Sequence, residues 1–213
     1  MNQINKLSQL NTASFFTKET LSQVMESTDN ALSANIQRWI KNGKLIQLKK
    51  GLYVTKEYYQ TIANKEAYYE FLANILKKPS YLSMEYVLQK YSMLTESVFA
   101  ITSVTRKKTR MYQNCIGTFL YANVKDELFT GFNITNKSGY EVKEASKAKA
   151  LFDFLYLRLW RVSEISREII ESYRFNLGEM QTEEYIEFES YVKLSGFRKF
   201  KNLPGILKDV AND

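Results

Sequence analysis

The sequence predicts an α+β protein in two parts, and three observations carry that prediction. Up to about residue 42 apolar residues recur at helical spacing, and the pattern then switches to short strand-like runs around a basic, glycine-containing turn. Four segments between about residues 98 and 142 are rich in strand formers. From residue 146 onward the helical period returns. With 213 residues, 45% of them hydrophobic and 25% charged, the chain is long enough to bury a substantial core. Two prolines and eight glycines leave no room for a flexible linker or a low-complexity tract.

Ile4, Leu7 and Leu10 have the spacing of a short first helix. Thr17 is placed to cap a second over residues 18–25, with Phe16 and Leu21 forming a hydrophobic staple and Leu21, Val24 and Met25 one apolar stripe. Residues 26–29 break the pattern. A third helix is predicted over residues 30–42, with Leu32, Ile36, Trp39 and Ile40 on one face and Gly43 as its stop. Residues 44–48 and 52–54 read as two strands joined by Lys49-Lys50-Gly51, the glycine supplying a left-handed turn. Helices followed by a hairpin with a basic tip make a winged helix-turn-helix, expected at residues 1–58.

That arrangement points to duplex DNA as a partner. Winding the third helix at about 100° per residue sets Asn30, Ala34, Gln37, Arg38 and Lys41 away from the apolar stripe. Ala34 is small enough for close approach to a base edge, Gln37 suits adenine, Arg38 suits guanine, and Lys41 suits a phosphate, as do Lys49 and Lys50 in the hairpin turn. The net charge is +7 with a pI near 9.2, and up to Glu57 eight cations face four carboxylates. More than half of the excess therefore sits in about a quarter of the chain, which favours an anionic partner.

The remainder, residues 59–213, reads as a mixed α/β domain ending in helices. A helix is expected over residues 65–76 and another from Ser83 to about residue 91. Strands are expected at 98–104, 116–122, 129–135 and 140–142, with Asn136-Lys137-Ser138-Gly139 as the last turn. A long helix runs over 146–159, and at least two more follow, around 162–173 and 182–194. Arg106, Lys107, Lys108 and Arg110 cluster between two strands, either as a surface for an anionic partner or as a solvated hairpin tip. Lys149 and Asp153, four apart on one helix, read as an ordinary surface ion pair.

The chain has no histidine, which removes the usual general base and the commonest zinc ligand, and its single cysteine, Cys115, cannot form a metal cluster. The expectation is a non-enzyme with no cofactor and no metal. No stretch approaches the roughly 20 apolar residues of a membrane helix, and one unpaired cysteine suits a reducing compartment, so a cytoplasmic protein without a membrane partner is expected.

The run from Ile40 to Tyr53, with Gly43, the leucine-rich strand, Lys49-Lys50 and Gly51-Leu52-Tyr53, resembles the N-terminal signature of AbiEi-type antitoxins. The similarity continues in Tyr81-Leu82-Ser83, in Phe129-Thr130-Gly131, and in Ala145-Ser146-Lys147-Ala148-Lys149-Ala150-Leu151-Phe152-Asp153. The last differs from the family at Lys147-Ala148, where Pro-Glu is frequent, so its helix start is expected to be less well capped. The match spans roughly residues 15–159. It implies the antitoxin of a type IV toxin-antitoxin system linked to abortive phage infection. Such a protein represses its own promoter through the winged helix-turn-helix. Its C-terminal domain counters a nucleotidyltransferase-like toxin without a stable complex, and Arg106, Lys107, Lys108 and Arg110 are the candidate antitoxicity surface. The alternative is a winged-helix transcriptional regulator whose C-terminal domain senses a ligand or a partner, with no toxin.

Overall fold

In the computed structural model, which describes residues 3–211 and side chains from Lys6 on, the chain is a mixed α+β protein with two sheets. Contacts divide it into two compact units, Met1–Tyr68 with Tyr112–Gly117, and Tyr69–Met111 with Thr118–Asp213.

The first unit runs α1 (Gln3–Ser8), β1 (Phe16–Thr17), α2 (Lys18–Met25), α3 (Asp29–Lys41), β2 (Leu45–Lys49), β3 (Leu52–Thr55) and α4 (Lys56–Thr61). Thr17 caps α2, its side-chain oxygen accepting from the Thr20 amide at 3.2 Å, and Thr55 caps α4 in the same way. β1, too short to be read from the sequence, pairs antiparallel with β3 and completes a sheet of order β1–β3–β2. One apolar cluster holds these elements together: Leu7 and Leu10, Leu21 and Met25 of α2, Leu32, Ile36 and Trp39 of α3, and Leu45 and Tyr53 of the hairpin. The side chain of Ile4, expected in the first stripe, lies outside the described residues.

The second unit is built on a sheet of order β6–β7–β5–β4–β9–β8. Its strands are β4 (Ser80–Leu82), β5 (Ala100–Thr105), β6 (Arg110–Gln113), β7 (Thr118–Asn123), β8 (Phe132–Lys137) and β9 (Tyr140–Ala145). β4 and β6 are additions to the expected strands. β5 and β7 run parallel, as do β4 and β9, while β4–β5 and β8–β9 are antiparallel. Among the described residues the α-helices that follow the first unit's are α5 (Lys65–Leu76), α6 (Glu85–Lys90), α7 (Lys147–Leu159), α8 (Arg167–Ser172), α9 (Thr182–Ser195) and α10 (Leu203–Ala211), with short 3-10 turns between some of them. The helix expected from Ser83 begins two residues later at Glu85, Ser83 lying just past the end of β4, and α8 is shorter than expected.

α7 is buried around almost its whole circumference, and its contacts include α6, α9 and β9. Its start is capped despite the Lys147-Ala148 departure, because Ser146 accepts from the Lys149 amide at 3.1 Å. Lys149 and Asp153 are not at the surface. Both side chains are fully buried, with Lys149 Nζ 2.6 Å from Asp153 Oδ1. The other carboxylate oxygen accepts from Tyr81 at 2.9 Å and Ser83 at 2.7 Å, so β4 and the residue after it supply the polar partners an isolated charge would lack. The ammonium also lies near the rings of Phe152 (4.9 Å) and Tyr191 (5.1 Å). Burial pushes the Asp153 carboxyl upward against these donors, and burial with the Asp153 charge pushes the Tyr81 phenol far above its usual range, which keeps it a donor. Gly131 (φ +75°) makes room for the group: a Cβ there would stand 2.2 Å from the Tyr191 hydroxyl oxygen and 3.0 Å from Lys149 Cδ. The i,i+4 spacing suits an exposed or a buried pair equally. Burial is decided by groups far away in the sequence.

A second ionic group ties α5, α6, β8 and β9 together. Lys90 and Lys137 each donate to both Glu70 and Glu144 at 2.6–2.9 Å. Burial alone would raise the Glu70 pKa, but the hydrogen bonds from Lys137 and Lys90 outweigh it and hold it below the ordinary carboxylate value.

Two outcomes are expected from this packing. Lys149→Met should cost about 3–5 kcal/mol in urea unfolding, because it leaves a buried carboxylate uncompensated, and adding Asp153→Leu should restore part of the loss. An unchanged midpoint for the single variant would contradict the buried pair. Glu70 has a depressed folded pKa, so its stabilisation is complete above the unfolded value of about 4.3 and is lost as pH falls through the folded one. Glu70→Gln should therefore lower stability at pH 7 and flatten its fall below about pH 4.5, measured as unfolding midpoint against pH.

Candidate nucleic-acid interface

α2 and α3 meet through a three-residue turn in which Glu26 takes a left-handed conformation (φ 50°) and closes α2 onto the Ser22 carbonyl. α3 buries Leu32, Asn35, Ile36 and Trp39, which leaves Asn30, Ala34, Gln37, Arg38 and Lys41 exposed along one side. The structure thus gathers all five expected positions on one helix face. Arg38 is oriented by a residue the sequence reading passed over: its Nη2 donates to Asn35 Oδ1 at 2.7 Å. Asn35 is nearly buried, so it anchors the guanidinium over the helix surface. A polar residue three positions before an arginine on a helix is the signal that was available.

The hairpin beside α3 is narrower than the sequence suggests. Lys49 belongs to β2, is half-buried, and sets its ammonium 5.8 Å from the centre of the Tyr112 ring. Lys50 and Gly51 alone form the turn, with Gly51 at φ +80°, and Lys50 is exposed. Successive strand side chains point to opposite faces, so adjacent lysines part company at the strand end. Two bonds fix the hairpin: the Lys18 amide donates to the Gly51 carbonyl at 3.0 Å, and Asn114 Nδ2 to the Leu48 carbonyl at 2.8 Å. Of the four early carboxylates, Glu26 is paired with Lys6 and Asp29 with Lys18, both at 2.7 Å. Lys41, Lys44 and Lys50 have no carboxylate partner among the described residues.

In the second unit Arg106, Lys107, Lys108 and Arg110 are all exposed where the chain leaves β5 and enters β6. Asn123 braces this turn. Its side-chain amide donates to the Lys107 carbonyl at 3.1 Å, and its backbone amide to Thr109 Oγ1 at 3.2 Å. The β4–β5 register, Ser80 opposite Thr105, brings Lys77 alongside. Burial first, and then the charges of Lys107 and Arg110, hold the Lys77 ammonium below the ordinary lysine value. Lys77 is thirty positions away in the chain, and only the pairing of two strands unites it with the cluster. Adjacent to Arg110 lies a cleft of about 1110 Å³, with Leu94, Met111, Phe154 and Tyr173 in its walls and Phe99 94% exposed at its side.

Among the described residues no three His, Cys, Asp or Glu side chains are grouped as metal ligands, and no helix is long and apolar enough to cross a membrane. Comparison with models of protein families and with curated proteins finds no match for the chain.

Gly51 tests the hairpin separately from any partner. A Cβ there meets nothing within 4 Å, so Gly51→Ala should cost only the left-handed backbone strain, about 1 kcal/mol in thermal or urea unfolding. A loss as large as that of Gly131→Ala, where a side chain blocks the Cβ, would mean the turn is packed rather than open.

Proposed function

We propose that the chain is a DNA-binding antitoxin of the type IV class, whose first unit is a winged helix-turn-helix that represses its own promoter. One observation carries the DNA-binding part: the exposed stripe Asn30, Ala34, Gln37, Arg38 and Lys41 lies on the second helix of a tightly turned pair, followed directly by a hairpin with an exposed lysine at its tip. A helix of this kind enters the major groove, where Gln37 and Arg38 have the donor and acceptor sets for adenine and guanine edges. Lys41 and Lys50 supply phosphate contacts, and Lys49 a weaker one from the hairpin flank.

The antitoxin part rests on the motif resemblance and on the braced basic turn of the second unit. Arg106, Lys107, Lys108 and Arg110 form its candidate antitoxicity surface, with Lys77 beside them. The toxin is a nucleotidyltransferase-like protein that is countered without a stable complex. A second reading, a transcriptional regulator that senses a ligand and has no toxin, is favoured by the cleft beside Arg110. A nucleotidyltransferase-like reading frame next to this gene favours the first reading, and its absence the second.

Mobility shift against the region upstream of the gene tests DNA binding. Gln37→Ala or Arg38→Ala should cost about 1–3 kcal/mol and relax sequence preference. Lys50→Ala should weaken all sequences alike and lower the log–log salt slope by about 0.9. Equal binding to upstream and scrambled duplexes at moderate salt would reject the proposal. For the antitoxin part, Lys107→Glu with Lys108→Glu in the full chain should abolish protection from the cognate toxin while operator binding stays within a few-fold of wild type. Full protection by that variant would remove the basic turn from the mechanism.

A further inference from the structure

α9 carries Glu183, Glu184, Glu187 and Glu189 in its first two turns, yet its far end opens on a strongly basic notch. Glu189, Val192, Lys193 and Gly196 recur at one-turn spacing on α9, and Pro204, Gly205 and Lys208 do so on α10. The turn between the helices adds Phe197, Arg198 and Lys201. These three elements enclose about 490 Å³, within the roughly 300–1,000 Å³ of small-molecule sites.

The charges are not those of an ordinary solvated face. Four cations line the notch against one carboxylate, and Glu189 is bonded to Lys208 at 3.0 Å. Lys193, Arg198 and Lys201 have no carboxylate partner among the described residues. Helix polarity favours Lys193 and Lys208 near helix C-termini, but Arg198 and Lys201 start and cap the single 3-10 turn between the helices, too short to carry much of a dipole. Lys199, between them in sequence, is engaged elsewhere: it donates to the carbonyls of Leu159, Trp160 and Val162 at 2.6–2.8 Å. The basic residues of this segment therefore divide into one that closes the end of α7 and a set around a concavity. Like charges in one notch repel each other, and an anion relieves that repulsion.

We infer that this notch binds a small ligand carrying adjacent phosphates, of the nucleoside polyphosphate type. The planar fork of Arg198 suits two oxygens of one phosphate, and Lys193 and Lys201 act as point charges on its neighbour. Val192, Phe197 and Pro204 give apolar wall for the organic portion. At Gly205 a Cβ would meet nothing within 4 Å, so the first turn of α10 is open to approach on this side. The inference is independent of the DNA-binding reading, because every residue it uses lies in the second unit.

Calorimetric titration of the full chain with ATP, with inorganic tripolyphosphate and with a short single-stranded RNA tests it. ATP should bind saturably at moderate salt and tripolyphosphate should compete with it. Arg198→Glu with Lys201→Glu should weaken both at least tenfold while the circular dichroism spectrum and melting temperature stay unchanged, since both side chains are exposed. Arg198→Gln with Lys201→Gln should give a smaller loss in the same order. Absence of binding by ATP and tripolyphosphate below millimolar concentration overturns the inference, as does equal binding by the charge-reversed variant. Binding of RNA alone, weakened by the same variant, overturns it too and makes the notch a nucleic-acid surface.

Discussion

A lysine and an aspartate sealed from water on α7 set the terms for the second unit. Taking two charges out of water costs several kcal/mol for each, and only close pairing with hydrogen bonds to the remaining lone pairs offsets it. Asp153 therefore requires Lys149 on its own helix, Tyr81 from β4 and Ser83 just after it, and these partners fix where β4 meets α7. Gly131 is required because the Tyr191 hydroxyl occupies the space a side chain would need. The Ala-Ser-Lys-Ala-Lys-Ala-Leu-Phe-Asp run and the Tyr-Leu-Ser and Phe-Thr-Gly segments, which looked like separate motifs, thus meet around one buried ion pair. Function has to be sought on the exposed residues that this framework presents.

Two exposed basic features stand on that framework, and each is held by uncharged residues. Asn123 ties the turn carrying Lys107, and the Gly196 cap of α9 leads the chain into the turn carrying Arg198 and Lys201. The first unit follows the same logic on a smaller scale. Its apolar cluster turns α3 so that five polar or small side chains face outward, and Asn35, nearly buried, steadies Arg38 among them. For the proposed contacts with phosphates and base edges, cations held in place are an advantage, since ordering long side chains on binding costs about 0.5–1.5 kcal/mol each.

Elements with a cap and a long period were legible in the sequence. Thr17 and Ser146 mark the starts of α2 and α7, and the turn at Asn136–Gly139 marks the join of β8 and β9. β1 and β4 were not legible, because two or three residues are too few to show alternation, and the sequence of β4, Ser-Tyr-Leu, owes its burial to neighbours from both sides of the sheet. β6 was hidden for the opposite reason: Arg110 to Gln113 is mostly exposed and has no apolar face. α10 was not among the expected helices, although its Leu-Pro-Gly start places proline in the first turn, where a helix tolerates it well. The exposed face of α3 was readable because it depends only on the helical period. The surroundings of Lys149, Lys77 and Arg198 depend on strand pairing and helix packing over long separations, and no local pattern encodes them.

Hydrogen–deuterium exchange of the full chain, with and without a duplex from upstream of its own gene, tests the central claim most directly. Protection should appear in residues 29–41 and at the hairpin turn around Lys50 and Gly51, and a scrambled duplex at the same salt should give little. Protection absent from α3, or equal for both duplexes, would contradict a sequence-reading helix in the first unit.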